Sequence, residues 1–139
     1  MSYQNTFILI SSDCPVQEGI EPISRKESKP VHVIQYELLT ANPYKYNYDE
    51  LLFETHVRHK GISDSMLLER RQEFREALFA KKHACMRASA LPKRYGWGVH
   101  YDAEGKMAIY GADSPQYRAF AETGREDIQL LLAMRSRRT

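Results

Sequence analysis

The chain carries two cysteines and five histidines, the side chains best suited to nucleophilic and general-base chemistry. A cysteine nucleophile reacts as the thiolate, which a neighbouring imidazole or positive charge stabilises. Cys14 follows Asp13, whose negative charge disfavours the thiolate. Cys14 nevertheless stands in a loop directly after a predicted strand, where reactive groups often lie. It is therefore kept as a candidate catalytic residue.

Cys85 lies among cationic and imidazole side chains, and four of them fall within four positions: Lys81, Lys82, His83 and Arg87. A charge about 8 Å away in water contributes only ~0.5 kcal/mol, so these neighbours leave the thiol mostly protonated. Cys85 also continues the apolar stripe of a predicted helix. This pattern indicates a buried structural cysteine.

Two histidines, His56 and His59, are three positions apart on one predicted helix, a spacing at which both can contact a metal. A third ligand at a workable spacing is missing, as are the two-histidine-plus-glutamate and paired-cysteine patterns of zinc sites. We therefore predict neither a metal nor a cofactor. One alternative to the binding function inferred next is an enzyme. Its nucleophile or base would be Cys14 or one of three histidines, His32, His56 and His100.

The most unusual stretch is 91–101, where two cations, three aromatic rings and a histidine fall within nine residues, 93–101. An arginine and a lysine beside aromatic faces suit an anionic group that carries a planar ring. Glycines on both sides of Trp97 allow a ligand to approach the indole closely. We therefore predict a non-catalytic module that binds a small anionic or aromatic ligand, or a partner protein. The predicted lining consists of Arg87, Lys93, Arg94, Tyr95, Trp97 and His100.

Two other interpretations of this stretch stay open. In the plainer one, Trp97 and Tyr101 pack in the core and the cations lie in water, since large aromatic side chains are core residues first. In the other, the stretch binds single-stranded nucleic acid. The formal net charge is only +2, and three phosphate contacts would give a salt slope of about −2.7, below that of strong binders with roughly 6–10 contacts. We therefore expect at most weak binding of nucleic acid.

The composition is that of one ordinary globular domain, residues 1–139, with 42% hydrophobic and 27% charged residues. The longest apolar runs are far shorter than the ~20 residues of a membrane span. The N-terminus carries no Lys or Arg before its apolar run and no cleavage site for secretion. We expect a cytoplasmic protein with unpaired cysteines, because reducing compartments keep thiols free.

In the first half of the chain, the residue pattern predicts one strand and two helices. A strand is expected over residues 6–10, followed by a long loop from Asp13 to Pro30. Pro30 suits the first position of a helix that ends near Ala41, with a short strand over residues 31–34 as the rival interpretation. Asn47 and Glu50 form a capping-box pattern for the next helix, which Gly61 ends after Lys60.

Ser63 or Asp64 is expected to cap a third helix, whose apolar stripe is Leu67, Phe74, Leu78 and Cys85. Pro92 is expected to end any helix before it. A β-hairpin is predicted near residues 96–110, with its turn over 102–105.

The last third of the chain predicts two more helices. Ser114 and Pro115 open a short helix that Gly124 closes. Ile128, Leu131 and Leu132 indicate a final amphipathic helix that ends in Arg135, Arg137 and Arg138. The expected fold class is α+β, in a single domain. The N-terminal strand joins the hairpin in a small antiparallel sheet, and several helices pack on one face.

Several blocks of the sequence carry a family resemblance that reaches from residue 7 to about 110. The blocks are 7–10 with 13–15, 34–39 with 42–46, 52–54 with 56–58 and 61–62, and 91–98. With these blocks the chain resembles a family of short, uncharacterised bacterial proteins of about 140 residues. The resemblance implies a bacterial cytoplasmic protein, and it assigns no activity, cofactor or catalytic residue.

Overall fold

The computed structural model describes residues 3–24, 28–122 and 126–136, and within these residues the chain forms four strands and five α-helices. The strands are β1 (Thr6–Leu9), β2 (Trp97–Tyr101), β3 (Met107–Gly111) and β4 (Gln129–Leu132). The helices are α1 (Val31–Ala41), α2 (Tyr48–Lys60), α3 (Asp64–Phe79), α4 (Ala90–Arg94) and α5 (Pro115–Ala121). A 3₁₀ turn, Met86–Ala88, precedes α4.

The four strands form one mixed sheet in the order β3-β2-β1-β4. The β2–β3 hairpin is confirmed, with Val99 opposite Ile109 and Gly105 in its turn. β1 pairs antiparallel with β2, so that Phe7 lies opposite His100. The α+β class is therefore confirmed, but the sheet is not purely antiparallel because β4 joins it parallel to β1.

β4 replaces the final helix that the sequence predicted from Ile128, Leu131 and Leu132, and that prediction was wrong. The strand runs from Gln129 to Leu132 and pairs with Thr6–Leu9 in register. A run of consecutive apolar residues also fits a strand of a parallel pair, and the pairing partner lies more than a hundred residues away. The predicted end points Gly124, Arg137 and Arg138 lie outside the described residues.

The ends of α1 and α2 follow from their capping residues. Pro30 is the N-cap of α1 rather than its first residue, and the rival strand over 31–34 was wrong. Asn47 and Glu50 form the complete capping box of α2, as predicted. Gly61 ends α2 in the left-handed conformation, with φ +65°. The N-terminus of α5 is also as predicted, with Ser114 accepting a hydrogen bond from the Tyr117 amide.

The third predicted helix ends earlier than its apolar stripe suggested. α3 ends at Phe79, so Cys85 lies outside it and the seven-residue extension of the stripe was wrong. Pro92 does not end a helix but lies within α4, because proline in the first turn of a helix removes no helical hydrogen bond. Ser89 caps α4 by accepting a hydrogen bond from the Leu91 amide.

The main core lies between one face of the sheet and α1 and α2, where Ile8, Val99, Leu38 and Leu51 pack together. A smaller cluster joins α2 to α3, and it contains Phe53, Val57 and Leu78. The opposite face of the sheet carries α5. There the ring of Phe7 stacks on Phe120 and meets the edge of Tyr117. The helices therefore do not all pack on one face as predicted, because α5 covers the face of the sheet that the prediction left bare.

The predicted long loop packs against the start of β2. The Ile20 amide donates to the Tyr95 carbonyl, 2.8 Å, and the Trp97 indole donates to the Ile20 carbonyl, 2.8 Å. A Cβ on Gly19 would lie 2.9 Å from the indole ring, so the backbone of this residue lies directly on it. The loop thus covers Trp97.

Candidate functional site

The most varied set of chemical groups lines a cleft between α1, α2 and residues 83–90, which we call the α1–α2 cleft. One hollow of it encloses about 310 Å³, within the range of small-molecule sites. Its polar lining consists of His32, Gln35, Tyr48, His83, Cys85 and Ser89, and its apolar lining includes Val31, Leu52 and Met86. A second hollow of about 340 Å³ shares Tyr48, Leu52 and His83 and adds Asp49, Phe79, Lys81 and Lys82.

Helical spacing brings two polar side chains of α1 to this cleft, since His32 and Gln35 are three positions apart. Gln35 is buried, and its side-chain oxygen accepts a hydrogen bond from the Ser89 hydroxyl, 3.0 Å. Ser89 is also the cap of α4. This one hydroxyl therefore fixes the 86–90 segment to α1 and sets the width of the cleft.

Tyr48 fixes the other side of the same segment. Its hydroxyl donates to the carbonyl of Ala84. Burial, followed by the nearby Cys85, raises the pKa of Tyr48 to about 12, so the hydroxyl keeps its proton at neutral pH. His83 makes a second link, in which its Nε2 donates to the Leu78 carbonyl, 2.7 Å. In the neutral imidazole this leaves Nδ1 as an acceptor.

His32 forms the end wall of the cleft nearest to the predicted basic-aromatic stretch. Its ring stacks on Tyr95, with centroids 5.1 Å apart and planes 22° from parallel. Burial, and then the charge of Arg94, lower the pKa of His32 below its ordinary value of 6.5. His32 is therefore neutral at neutral pH and presents one donor and one acceptor.

The two thiols differ in access. Cys14 is buried with 6% of its surface exposed, and its amide donates to the Ser11 carbonyl. Cys85 is only partly buried and lines the cleft, so the structure does not seal it inside a helix core as the sequence predicted. The Tyr3 hydroxyl lies 3.5 Å from the Cys85 sulfur, and this hydrogen bond is the largest cause that raises the pKa of Tyr3.

The structure places the six predicted ligand-binding residues in separate surroundings. Trp97 lies under the loop at Gly19 and meets the ring of Tyr36 edge-on, 5.3 Å between centroids. Tyr95 stacks on His32 and so borders the α1–α2 cleft, whereas Lys93 is partly buried at α4. Arg94 is exposed and lines a separate hollow of about 490 Å³ together with Asp13, Pro15 and Ser136.

Two of the predicted binding residues, Arg87 and His100, line neither hollow of the α1–α2 cleft. The Arg87 Nε donates to the Leu132 carbonyl, 2.7 Å, so this side chain is held on β4. His100 lies on the α5 face of the sheet, where it stacks on Phe120 at 4.1 Å and its Nδ1 lies 2.8 Å from the Tyr44 hydroxyl. Successive residues of a strand point to opposite faces, so His100 and Trp97 face different sides of β2.

The histidine pair of α2 keeps its predicted place on one helix. Burial, and then the charge of Lys60, lower the pKa of His56. Among the described residues, no group of three His, Cys, Asp or Glu side chains lies close enough to hold a metal ion. Over the same residues, no helix has the length and apolar character needed to cross a bilayer.

The lowered pKa values of His32 and His56 predict a pH dependence of stability. Because the unfolded chain takes up the protons first, stability should be complete above the ordinary histidine pKa of about 6.5 and should fall as the pH drops below it. We expect Tm to decrease between pH 7.5 and pH 5.5. The variant His32→Gln/His56→Gln should show a shallower decrease in the same thermal scans. An unchanged slope in this variant would contradict the prediction.

Sequence reasoning missed most of the cleft, although two signals for it were present. Gln35 is a polar residue on the buried face of α1, between Ile34 and Leu38, where an amide needs a hydrogen-bond partner. Cys85 was weighed as a nucleophile and then assigned to a helix core, and His83 was considered as one of its neighbours in the sequence. These residues lie in separate segments of the chain. The hydrogen bond between Ser89 and Gln35, which joins the two segments, forms only in the folded protein.

The fold and the site define a class: a small α+β protein with a mixed four-stranded sheet and a partly polar cleft beside its two long helices. Within this class, the chain belongs to the "Family of unknown function (DUF6157)", whose model matches residues 1–139. This match confirms the resemblance to a family of proteins of about 140 residues without an assigned activity. No curated protein and no solved structure matches the chain.

Proposed function

We propose that the protein binds a small organic anion with an apolar body in the α1–α2 cleft. The observation that carries this proposal is the continuity of two hollows, which share Tyr48, Leu52 and His83. Their combined lining runs from the neutral wall at His32 to a cationic end at Lys81 and Lys82. A ligand with an apolar body and a negative end matches this order of groups.

The charge of the lining favours an anion. Lys81 and Lys82 supply two positive charges, and Asp49 is the one carboxylate among the described residues that line either hollow. The other polar groups of the lining are an amide, hydroxyls, a thiol and imidazoles. A ligand carboxylate at the lysines would gain attraction, while a cation there would meet like charge.

The rest of the lining suits an apolar body. Val31, Leu52 and Met86 offer apolar surface, and methionine adapts to irregular ligand shapes. Gln35 and Ser89 bond to each other, which fixes their donors and acceptors at one side of the hollow. Most small-molecule sites combine apolar walls with a few fixed polar groups in this way.

This proposal keeps the small anionic or aromatic ligand expected from the sequence but moves its site. Tyr95 and Arg94 border the proposed site through His32, whereas the Trp97 indole lies under Gly19. Stacking of a ligand ring on that indole therefore has no support. A cytoplasmic location belongs to the same proposal, and its support is the free state of both cysteines.

Cys85 provides a direct test, because its thiol lines the cleft while Cys14 is buried. We expect 3-phenylpropionate at millimolar concentration to slow the alkylation of Cys85 by iodoacetamide at least threefold, as followed by peptide mass spectrometry. The matched neutral compound 3-phenylpropanol should protect much less, because it lacks the charge that the lysines recognise. Cys14 should react slowly throughout.

Substitution of the lysines separates charge recognition from simple burial. The double variant Lys81→Ala/Lys82→Ala should lose most of the protection by 3-phenylpropionate. The matched control is Lys45→Ala/Lys60→Ala, which removes two exposed lysines that do not line the cleft and should keep the protection. The proposal is wrong if the alcohol protects as well as the carboxylate, or if both double variants behave alike.

A further inference from the structure

One side of α3 is left uncovered by the rest of the described chain. The helix packs on α2 through Leu78, which is buried, and through Phe74 and Leu67, which are partly buried. Leu68, in contrast, is 89% exposed, and Met66 is 42% exposed. Three consecutive apolar residues, 66–68, therefore reach the surface just before a run of charged and polar residues. An apolar patch with a polar rim is typical of an interaction surface.

This patch belongs to a stripe of four residues that has opposite charges at its two ends. Asp64, Leu67, Leu68 and Arg71 follow one another at the three- and four-residue spacing that brings side chains to one side of a helix. The backbone departs from helical angles at Arg70, between Leu68 and Arg71. All four residues nevertheless line one hollow of about 470 Å³. We call them the α3 stripe.

The two charges of the α3 stripe have no opposite charge beside them among the described residues. Neither Asp64 nor Arg71 forms an ion pair there, and the ion pair within α3 joins Arg70 to Glu73. The guanidinium of Arg71 lies 4.8 Å from the ring centroid of Phe53, which holds it in place. A guanidinium has five N–H donors, so contact with one ring leaves donors for a carboxylate.

We propose that two copies of the chain pair reversibly through the α3 stripe, related by a two-fold axis. Such an axis across the helices makes them antiparallel, so that Asp64 of each copy meets Arg71 of the other. The leucines of the two copies cover each other in the middle of the contact. The order of the stripe favours a second copy over an unrelated protein, because each copy already carries the charge that the other needs.

The size of the contact indicates a weak dimer. The 16 residues of α3 extend about 24 Å, so a strip about 10 Å wide offers roughly 240 Å² on each copy. Stable complexes bury about 800 Å² on each partner. We therefore expect a dimer that dissociates on dilution, with a Kd in the high micromolar range.

Sedimentation equilibrium of the full chain tests the dimer directly. From about 10 µM to about 1 mM protein, the average mass should rise from that of one chain toward that of two. Leu68→Ala should weaken the association at least tenfold without changing thermal unfolding in dilute solution, since this side chain is 89% exposed. Ile23→Ala is the matched control, because Ile23 is 81% exposed but lies outside α3, and it should associate like the wild type. Absence of association at the highest concentration, or equal association of Leu68→Ala and wild type, would overturn the proposal.

Exchange of the end charges tests the two-fold arrangement. Asp64→Lys brings two positive charges together at each end of the contact, and Arg71→Glu brings two negative charges together, so each variant alone should associate at least tenfold more weakly. In an equimolar mixture, the introduced lysine meets the introduced glutamate, and the remaining Arg71 meets the remaining Asp64. Association should then return to nearly the wild-type strength. A mixture of folded variants that associates no better than either variant alone would show that the arrangement is wrong. Thermal unfolding shows whether both variants are folded, and Leu68→Ala carries the test if one is not.

Discussion

Replacement of Gly96 by alanine is expected to lower the free energy of unfolding by about 2–5 kcal/mol. Gly96 has φ +77°, a left-handed conformation that costs an L side chain roughly 1–2 kcal/mol. An alanine Cβ would also overlap the carbonyl oxygen of Glu18 and lie 2.7 Å from its carbonyl carbon. Both atoms belong to the backbone, so the loop itself must move away from β2.

The movement of this loop has an optical signal, because Trp97 is the single tryptophan of the chain. Its indole donates to the Ile20 carbonyl, 2.8 Å, and this hydrogen bond should break when the loop leaves. In Gly96→Ala we therefore expect a red shift of the tryptophan emission and stronger quenching by acrylamide. Urea unfolding gives the free energy of unfolding of the same variant.

Gly61 offers the matched control for Gly96. It has φ +65°, but beyond its own neighbours in the chain no atom of the described residues lies within 4 Å of the position that its Cβ would take. Gly61→Ala should therefore show only the backbone cost, roughly 1–2 kcal/mol, with an unchanged emission maximum. Equal losses in the two variants, with no change in emission in either, would mean that the contact with Glu18 contributes nothing.

Replacement of Phe7 by alanine is expected to lower the free energy of unfolding by about 3–5 kcal/mol, the range for a fully buried phenylalanine. Phe7 has no exposed surface. Its ring stacks on Phe120 with centroids 5.0 Å apart, and it meets Tyr117 edge-on at 5.1 Å. Both partners belong to α5, so the substitution removes the apolar contact that holds this helix on the sheet.

Two measurements distinguish this effect from a general loss of stability. Urea unfolding of Phe7→Ala should be compared with that of Phe79→Ala, which removes a ring with 36% of its surface exposed and should cost about 1 kcal/mol or less. In Phe7→Ala, the rate of hydrogen exchange should increase more for the amides of α5 than for the amides of α1 and α2. If Phe7→Ala costs no more than Phe79→Ala, the role given to Phe7 is wrong.

Local signals predicted those elements whose ends are set by neighbouring residues. The capping box of Asn47 and Glu50, the stop at Gly61 and the start at Ser114 all depend on contacts within four residues. β4 could not be found in this way. Its partner β1 is more than a hundred residues away, and the spacing of Ile128, Leu131 and Leu132 fits a helix as well.

The candidate site shows the same division between local and distant information. The alternation of β2 already separates His100 from Trp97, so their assignment to one site conflicted with the strand pattern itself. The cover over Trp97 was not predictable, because it depends on where Gly19 packs after folding. The α1–α2 cleft likewise depends on the bond between Ser89 and Gln35, which are 54 positions apart.

Arg87 has a consequence for the open edge of the sheet at β4. The Gln129 and Ala133 amides donate to the carbonyls of Asn5 and Leu9, on the β1 side of the strand. The backbone groups of Leu132 and Met134 therefore point the other way, toward the open side of β4. Arg87 occupies that side, because its Nε donates to the Leu132 carbonyl and its own carbonyl accepts from the Met134 amide, 2.8 Å. An uncovered apolar strand edge is a template for aggregation, and charged groups are a common protection against it. Arg87 therefore already occupies two backbone groups that an added strand would need at this end of β4.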